Sequence, residues 1–286
     1  MTGDGSLGIA IGPPESGRIR YAAAMALYQA GQISAAQLEA YRVAAGNDAE
    51  SPAALFAERG LPLPLATPAT PEPALQTLLH EADRYFATLS GPAIAEVRTG
   101  LAAQPLGRPK AVVTPANAVV AAHMAAALAP LSLTRPALAT AIAAALPHLG
   151  WITYDLYPVD QIGPTFGTSH AYATLVGATG NFVADNFDLG LFLIAPHTLY
   201  RDHRHLAPEL YAPLTGPHGW RFGPDAPLHV KPAHHPVWNE PLRPHLTKVG
   251  PVPFLALFCW TRDTEAVAEV LPARDWDQLE ALRLDP

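Results

Sequence analysis

The sequence has very little cysteine and little charge. Cys259 is the single cysteine among 286 residues, which excludes an intrachain disulfide framework and a zinc site built from cysteines. Such a composition suits a reducing compartment, so we expect a cytoplasmic protein. Charged residues make up 15% of the chain and the net charge is −7, with no long run of Lys and Arg. This balance argues against nucleic acid or an anionic membrane surface as the partner.

Long uninterrupted hydrophobic runs are also missing. The most apolar stretch, residues 111–149, is divided by Pro115, Pro130, Pro136 and Pro147. No segment of about 20 apolar residues remains, so no transmembrane helix is predicted. The first residues lack the basic and apolar regions of a secretory signal, and none is expected. Hydrophobic residues nevertheless form 49% of the chain, which is enough for a sizeable core.

The local patterns change character near residue 150. Before it, alanine-rich segments with helical spacing, capping residues and initial prolines predict seven helices, at about 18–30, 34–45, 52–59, 72–89, 92–103, 115–128 and 134–146. After it, short runs of strand-forming residues predict strands at 151–157, 170–176, 181–184, 190–195, 209–214 and 254–260, with a final helix at 275–284. The predicted fold class is therefore α+β, with an N-terminal helical region (1–149) followed by a β-sandwich or barrel (150–286).

Metal-ligating residue types cluster shortly after residue 200. His203 and His205 are two residues apart, so on a strand both face the same side. Pro208 marks a turn, and Glu209 opens the next predicted strand with Tyr211 on the same face. Two imidazoles and a carboxylate that meet across a hairpin suit a divalent transition metal, and a distant third histidine would complete an open site. Solvated histidines on an edge strand are the alternative interpretation.

The spacing of this cluster resembles the first cupin motif. His-x-His, three residues, Glu, six residues and Gly correspond here to His203, His205, Glu209 and Gly216. The second cupin motif supplies one more histidine from a later strand, and His245 fits that position. Cupins are double-stranded β-helix, or jelly-roll, barrels, so the resemblance implies that fold for residues 150–286.

Two features depart from the cupin pattern. The glycine expected six residues before the first histidine is absent, and His197 stands there. The glycines usual before the last ligand are also missing from a segment that is rich in proline and histidine. His234 and His235 therefore compete with His245 for the role of the last ligand.

A longer string resembles one particular family of cupins, the dimethylsulfoniopropionate lyases, over about residues 150–265. The string is Tyr200-x4-His205-x3-Glu209-x-Tyr211, followed by the aromatic segment 254–260. The resemblance implies one divalent metal ion, such as zinc, iron or manganese. It assigns the ligand role to four residues: His203, His205, Glu209 and His245.

The resemblance also implies a reaction, the β-elimination of dimethylsulfoniopropionate or a related carboxylate to dimethyl sulfide and acrylate. Tyr211 is the expected base for the α-proton, with Tyr200 as a second candidate. An unperturbed tyrosine, with a pKa near 10, is a weak base at neutral pH, and a nearby metal would lower that pKa. Trp260 and Tyr200 are expected to hold the cationic sulfonium through their ring faces.

Other functions remain open on the sequence. The His-x-His and Glu pattern also serves other metal-dependent cupin enzymes, such as dioxygenases and sugar isomerases, and non-catalytic cupin binding proteins. Each of these implies a small-molecule ligand. The helical region at 1–149 is longer than a minimal cupin lyase needs, and we expect it to cap the barrel mouth or to form a homodimer interface.

Overall fold

The structure is a computed structural model that describes residues 11–29, 33–61, 71–112, 114–154 and 157–285. Contacts between residues divide the chain into two units, Met1–Ala69 and Thr70–Pro286. The sequence also predicts a connector at 62–71, which contains four prolines, and this segment lies almost wholly outside the described residues. The predicted boundary between a helical region (1–149) and a barrel (150–286) stays a prediction.

Three helices make up the described part of the first unit: α1 (Ser16–Gln29), α2 (Ala35–Ala44) and α3 (Pro52–Glu58). Helix α2 begins with a capping box, as its sequence predicts. The Ser34 hydroxyl accepts a hydrogen bond from the Gln37 N–H, and the Gln37 side chain accepts one from the Ser34 N–H. Tyr41 and Phe56 pack edge to face in the small core of this unit, with ring centroids 5.4 Å apart.

The described helices of the second unit are α4 (Pro71–Phe86), α5 (Pro92–Ala103), α6 (Ala118–Thr134), α7 (Pro136–Ala145), α8 (Val159–Ile162) and α9 (Trp276–Ala281). Helix α6 continues past its predicted end at residue 128. Met124, Ala127 and Leu131 bury one face of it, while Pro130 lies on the exposed face, where water can satisfy the carbonyl that proline leaves unpaired. No helix in the described part of the chain has the length and apolar character of a membrane span.

Ten strands form two five-stranded sheets in the second unit: β1 (His170–Val176), β2 (Asp188–Ile194), β3 (Leu199–Arg204), β4 (Glu209–Pro213), β5 (His218–Arg221), β6 (His229–Lys231), β7 (Val237–Asn239), β8 (His245–Lys248), β9 (Phe254–Trp260) and β10 (Glu269–Val270). The first sheet has the order β1-β2-β9-β4-β7 and the second has the order β10-β3-β8-β5-β6. All strand pairs are antiparallel. The predicted combination of helices with antiparallel sheets is confirmed.

Alternation along the strands sends side chains of the first sheet into two different cores. On β2, Leu189, Leu191 and Leu193 pack in the same core as residues of helices α4 to α7. Phe192 and Ile194 point to the opposite face, into an aromatic core shared with residues of the second sheet. The first sheet therefore has one face toward the helices and one face toward the second sheet. Glu209, from the predicted metal-ligand cluster, lies on the face toward the second sheet.

Two predicted strands are wrong. Within 151–157 the described residues form no strand, and Ile152 makes only an isolated bridge to Tyr172. Residues 181–184 likewise form only a bridge, between Phe182 and Val176. Both bridges are to β1, and the described residues of each segment pair with it at one position only, so neither segment extends the sheet as a strand. A strand-like pattern alone does not supply a continuous ladder of partners.

Gly190 is needed where strands β1, β2 and β9 lie side by side. A Cβ at this position would collide with the main-chain oxygen of Ala173 and lie 2.6 Å from the ring of Phe258. We therefore expect Gly190→Ala to destabilise the protein by roughly 1–3 kcal/mol, the usual cost of overpacking. Urea unfolding checks this. Gly107→Ala is the control, since a Cβ there meets nothing within 4 Å, and equal stability of the two variants would contradict the expectation.

Candidate active site

Three histidines meet between the two sheets. His203 on β3 is the direct cross-strand partner of His245 on β8, and their ring centroids lie 4.0 Å apart. His205 follows the last residue of β3, with its ring centroid 5.0 Å from that of His245. All three side chains are buried. The structure thus brings together residues that are forty positions apart in the sequence.

Main-chain carbonyls orient all three rings in the same way. The Nδ1–H of each histidine donates to a carbonyl oxygen two residues away: His203 to Arg201 at 2.8 Å, His205 to Ala207 at 2.7 Å and His245 to Arg243 at 2.9 Å. Because a carbonyl oxygen only accepts, the proton of each neutral ring must be on Nδ1. Each Nε2 then carries a lone pair, the form in which a histidine binds a metal.

The three Nε2 atoms have the properties of an unsatisfied ligand set. None of them has a hydrogen-bond partner among the described residues. The ligand atoms of His203, His205 and His245 all lie within 4.8 Å of one another. Burial, and then the closeness of His245 and His205, hold the pKa of His203 well below its usual range, which keeps that ring neutral. Buried acceptors without a donor are costly, and a bound cation would offset that cost, so this triad fits a metal ion.

Glu209, the first residue of β4, adds a negative charge beside the triad. Its Oε2 lies 3.4 Å from Nε2 of both His205 and His245. Two other side chains orient the carboxylate: Asn239 donates to Oε2 at 3.1 Å and Trp260 donates to Oε1 at 2.8 Å. Burial raises the pKa of Glu209, but the attraction of the two imidazoles outweighs it and leaves the pKa well below its usual value. Glu209 is therefore ionised.

A cavity of about 270 Å³ opens beside Glu209 and His205. About half of its lining residues are aromatic: Tyr154, Tyr157, Phe166, Tyr172, Phe192, Tyr200, Tyr211, Phe258 and Trp260. Its carboxylates are Asp188, Glu209 and Glu265, and no Lys or Arg is among the lining residues that the structure describes. The cavity has the size and the mostly apolar walls of a small-molecule site.

The two candidate bases differ in their surroundings. The hydroxyl of Tyr200 shares a 2.5 Å hydrogen bond with the hydroxyl of Tyr157, and its ring stacks on His203 with centroids 3.9 Å apart. Tyr211 is two residues after Glu209 on β4 and faces the same way. Burial, and then neighbouring tyrosines for Tyr200 and Glu209 for Tyr211, raise both pKa values well above 10. Either phenol keeps its proton unless further positive charge lies nearby.

The competing histidines lie elsewhere. Tyr85 on α4 is within 3.0 Å of Nδ1 of His234, and Thr134 is within 3.2 Å of its Nε2. His235 is exposed and contacts the carbonyl oxygen of Ala233. His245, rather than either of these, is brought to His203 and His205. Trp260, expected at the substrate, lines the cavity and lies against His205, with ring centroids 4.5 Å apart.

Sequence reasoning missed four residues at this site: Tyr157, Asn239, His170 and Asp188. Tyr157 lies in the segment 151–157, which the sequence wrongly predicts to be a strand. The strand that begins at Asp188 is predicted to begin two residues further on, at residue 190. A signal existed only for Tyr157, which forms an aromatic pair with Tyr154 three residues earlier. The contact of Asn239 with Glu209 depends on the pairing of β4 with β7, which no local pattern reveals.

His170 connects the start of β1 to the segment that carries Tyr154. Its Nδ1–H donates to the carbonyl oxygen of Phe166 at 2.6 Å, and the N–H of Tyr154 donates to its Nε2 at 3.0 Å. Both nitrogens are thus used by the neutral ring. Burial lowers its pKa to about 4. The neutral ring therefore stabilises the fold fully above the unfolded pKa of about 6.5, and this contribution is lost as the pH falls from there toward 4.

We expect the wild-type free energy of unfolding to fall by about 2 kcal/mol more than that of His170→Asn between pH 7 and pH 5. Asparagine retains a donor near Nδ1 but does not titrate. Urea unfolding at both pH values measures the difference. His229→Asn, at an exposed histidine, should behave as the wild type does, and parallel pH dependences for all three proteins would exclude the role assigned to His170.

Together, the fold and the site define a protein with facing antiparallel sheets, a candidate metal centre and a cavity for a small molecule. A family model described as dimethylsulfoniopropionate lyase matches residues 87–256, more than half of the chain. The chain belongs to the dimethylsulfoniopropionate lyases, a family of carbon–sulfur lyases. The matched residues include all three histidines and Glu209 and end before Trp260.

Several solved structures are similar to this chain. The lyase DddQ from Ruegeria pomeroyi is 25% identical, with a TM-score of 0.52 over 70% of this chain and 96% of that one. A structure described under the dimethylsulfoniopropionate lyases RdDddP and RnDddQII is 20% identical, with a TM-score of 0.52 over 71% of this chain and 100% of that one. A cupin-like protein from Thermotoga maritima is 14% identical, with a TM-score of 0.34 over 40% of this chain and 84% of that one. Curated protein sequences give no significant match.

Proposed function

We propose that the chain is a metal-dependent lyase that cleaves dimethylsulfoniopropionate, or a closely related onium carboxylate, to dimethyl sulfide and acrylate. Family membership supports the reaction class. The observation that carries the metal dependence is the set of three buried Nε2 atoms that have no hydrogen-bond partner among the described residues. We propose further that the two sheets are the halves of a cupin barrel around this site.

The proposed ligands are His203, His205 and His245 through Nε2, with Glu209 as the fourth. Three nitrogen donors and a carboxylate accept several divalent transition metals, so the donor set does not select one ion. A bound ion supplies Lewis-acid stabilisation of the charge that develops on the substrate carboxylate in the transition state. Asn239 and Trp260 hold the Glu209 carboxylate in place, as outer partners of metal ligands commonly do.

The remaining chemistry is proton removal from the carbon next to the carboxylate. Tyr211 is the proposed base, because it lines the cavity and lies two residues after Glu209 on the same face of β4. Its phenolate oxygen takes the α-proton, the α-carbon electron pair forms the new double bond, and the bond from the β-carbon to sulfur breaks with its electrons on sulfur. Dimethyl sulfide leaves as a neutral molecule and acrylate remains.

The aromatic walls have two further proposed roles. Tyr200 and Tyr157 share a hydrogen bond at the cavity, so one can stabilise charge on the other. Trp260 has its N–H committed to Glu209, and its ring remains available as a surface for the sulfonium methyl groups. Tyr211 is itself buried, which limits the access of bulk water to the base and strengthens these electrostatic interactions.

Acrylate release by purified protein tests the proposal. The apoprotein is loaded separately with zinc, ferrous iron, manganese or nickel and incubated with dimethylsulfoniopropionate. Chromatography then measures acrylate in solution and dimethyl sulfide in the headspace, and we expect equal amounts of the two products. His205→Ala is the matched inactive control. Absence of both products with every metal, in protein that is folded and metal-loaded, would show that the chain is not a lyase for this substrate.

A further inference from the structure

Asp188 lies on the same sheet face as the candidate metal centre. It opens β2 and is the direct cross-strand partner of Trp260 on β9, which is in turn the partner of Glu209 on β4. Direct antiparallel partners share a face, so the three side chains form one row across the sheet. Two strand spacings separate the ends of the row, which puts the Cα atoms of Asp188 and Glu209 about 10 Å apart.

The carboxylate of Asp188 is partly buried and has no hydrogen bond or ion pair with the described residues. Its Oδ1 lies against Gly177, at a place where the Cβ of any other residue would collide with it. Burial raises its pKa to about 6, and no positive side chain among the described residues offsets this effect. The side chain is therefore held at the cavity in a position that is unfavourable for its own charge.

The other charges of the cavity distinguish its two ends. At one end, Glu209 already has the imidazoles, Asn239 and Trp260 as partners. At the other end, Asp188 lines the cavity together with aromatic residues such as Phe258, and no Lys or Arg in the described lining compensates it. A buried carboxylate without a partner is a costly arrangement. In a ligand cavity it becomes favourable when the ligand carries the missing positive charge.

We propose that Asp188 is the counter-charge for the cationic head of the substrate and sets the preference of the cavity for small carboxylates with an onium group. The ligand then lies along the row of side chains, with its carboxylate toward the histidines and its cation between Asp188 and the aromatic rings. This assignment deepens the proposed lyase function and rests on it for the orientation of the substrate. It concerns binding and does not require that elimination take place.

Calorimetry with two unreactive ligands of matched shape tests the assignment on metal-loaded protein. 3-(Trimethylammonio)propionate carries a fixed positive charge, and 4,4-dimethylpentanoate has an uncharged carbon in place of its ammonium nitrogen. The wild type is expected to bind the cationic ligand more tightly, and Asp188→Asn should lose about tenfold in affinity for it. Affinity for 4,4-dimethylpentanoate should change by less than about twofold.

Asp185→Asn is the matched control, because it removes the same charge from an exposed residue three positions earlier. It should leave both affinities unchanged. Asp188→Ser is a second variant without the charge, and whichever Asp188 variant folds decides the question. Thermal unfolding is expected to show that Asp188→Asn is at least as stable as the wild type near pH 8, since it removes an unpaired buried charge.

Equal losses for the two ligands, or no loss for the cationic one, would overturn the assignment. The proposed function fails separately. Absence of acrylate in a protein that still prefers the cationic ligand through Asp188 would reject the lyase reaction and leave the onium site in place. Acrylate release that is unaffected by Asp188→Asn, together with unchanged affinity for the cationic ligand, would reject Asp188 alone.

Discussion

Replacing His245 with alanine is expected to abolish tight metal binding and, with it, turnover. The change removes one of three Nε2 atoms that converge without another partner, while the main-chain carbonyls continue to orient the rings of His203 and His205. Loss of a residue that only supports a ligand commonly costs 10–100-fold in metal affinity, so loss of a ligand should cost more than about 100-fold. Elemental analysis and competition with a chelator measure it.

His235→Ala is the control for this experiment. It removes an exposed histidine from the same proline- and histidine-rich segment, and metal content should stay at the wild-type level. A metal-loaded His245→Ala protein with unchanged affinity would mean that the triad is not the metal site. In that case the buried Nε2 atoms would need another explanation, such as a bound water molecule that donates to them.

The pattern around His203 was predictable because its spacing is local. A strand places His203 and His205 on one side, a turn follows, and Glu209 begins the next strand within six residues. His245 was harder to assign, since its position depends on the pairing of β3 with β8, which four other strands separate in the chain. The sequence left three histidines in competition, and strand register separated them by bringing only His245 to the cluster.

Two of the residues that sequence reasoning missed share one physical feature. Asp188 and Asn239 reach the site only through the order β2-β9-β4-β7, in which neighbouring strands are far apart in the chain. No periodicity within a strand encodes such a register. In helix α6 a local signal is present but misleading. Pro130 is a strong local signal for a helix end, and the buried face of the helix overrides it.

Replacing Tyr211 with phenylalanine is expected to lower kcat by about 1,000-fold, within the usual range for loss of a general base. Phenylalanine retains the ring, which packs against Phe192 and Trp220 at centroid distances of 6.0 and 5.7 Å. Stability and metal content should therefore change little. Steady-state acrylate kinetics and elemental analysis on the same preparation separate a chemical defect from loss of the site.

Tyr200→Phe is the matched comparison, since it also removes one buried phenol from the cavity wall. Its hydroxyl is already committed to Tyr157 at 2.5 Å, so we expect a smaller loss of kcat than for Tyr211→Phe. A larger loss would transfer the role of base to Tyr200. Equal small losses would mean that neither phenol removes the proton.

Exchange of the α-proton with solvent distinguishes a base from a residue that only shapes the cavity. In D₂O, the wild type should incorporate deuterium at the carbon next to the carboxylate of 3-(trimethylammonio)propionate, whose amine leaves less readily than a sulfide. Proton NMR of the recovered ligand follows this. Tyr211→Phe should bind the ligand and fail to exchange it, because the variant lacks the phenol oxygen proposed to take the proton. Exchange at the wild-type rate would show that another group removes the proton, even if elimination itself were slow.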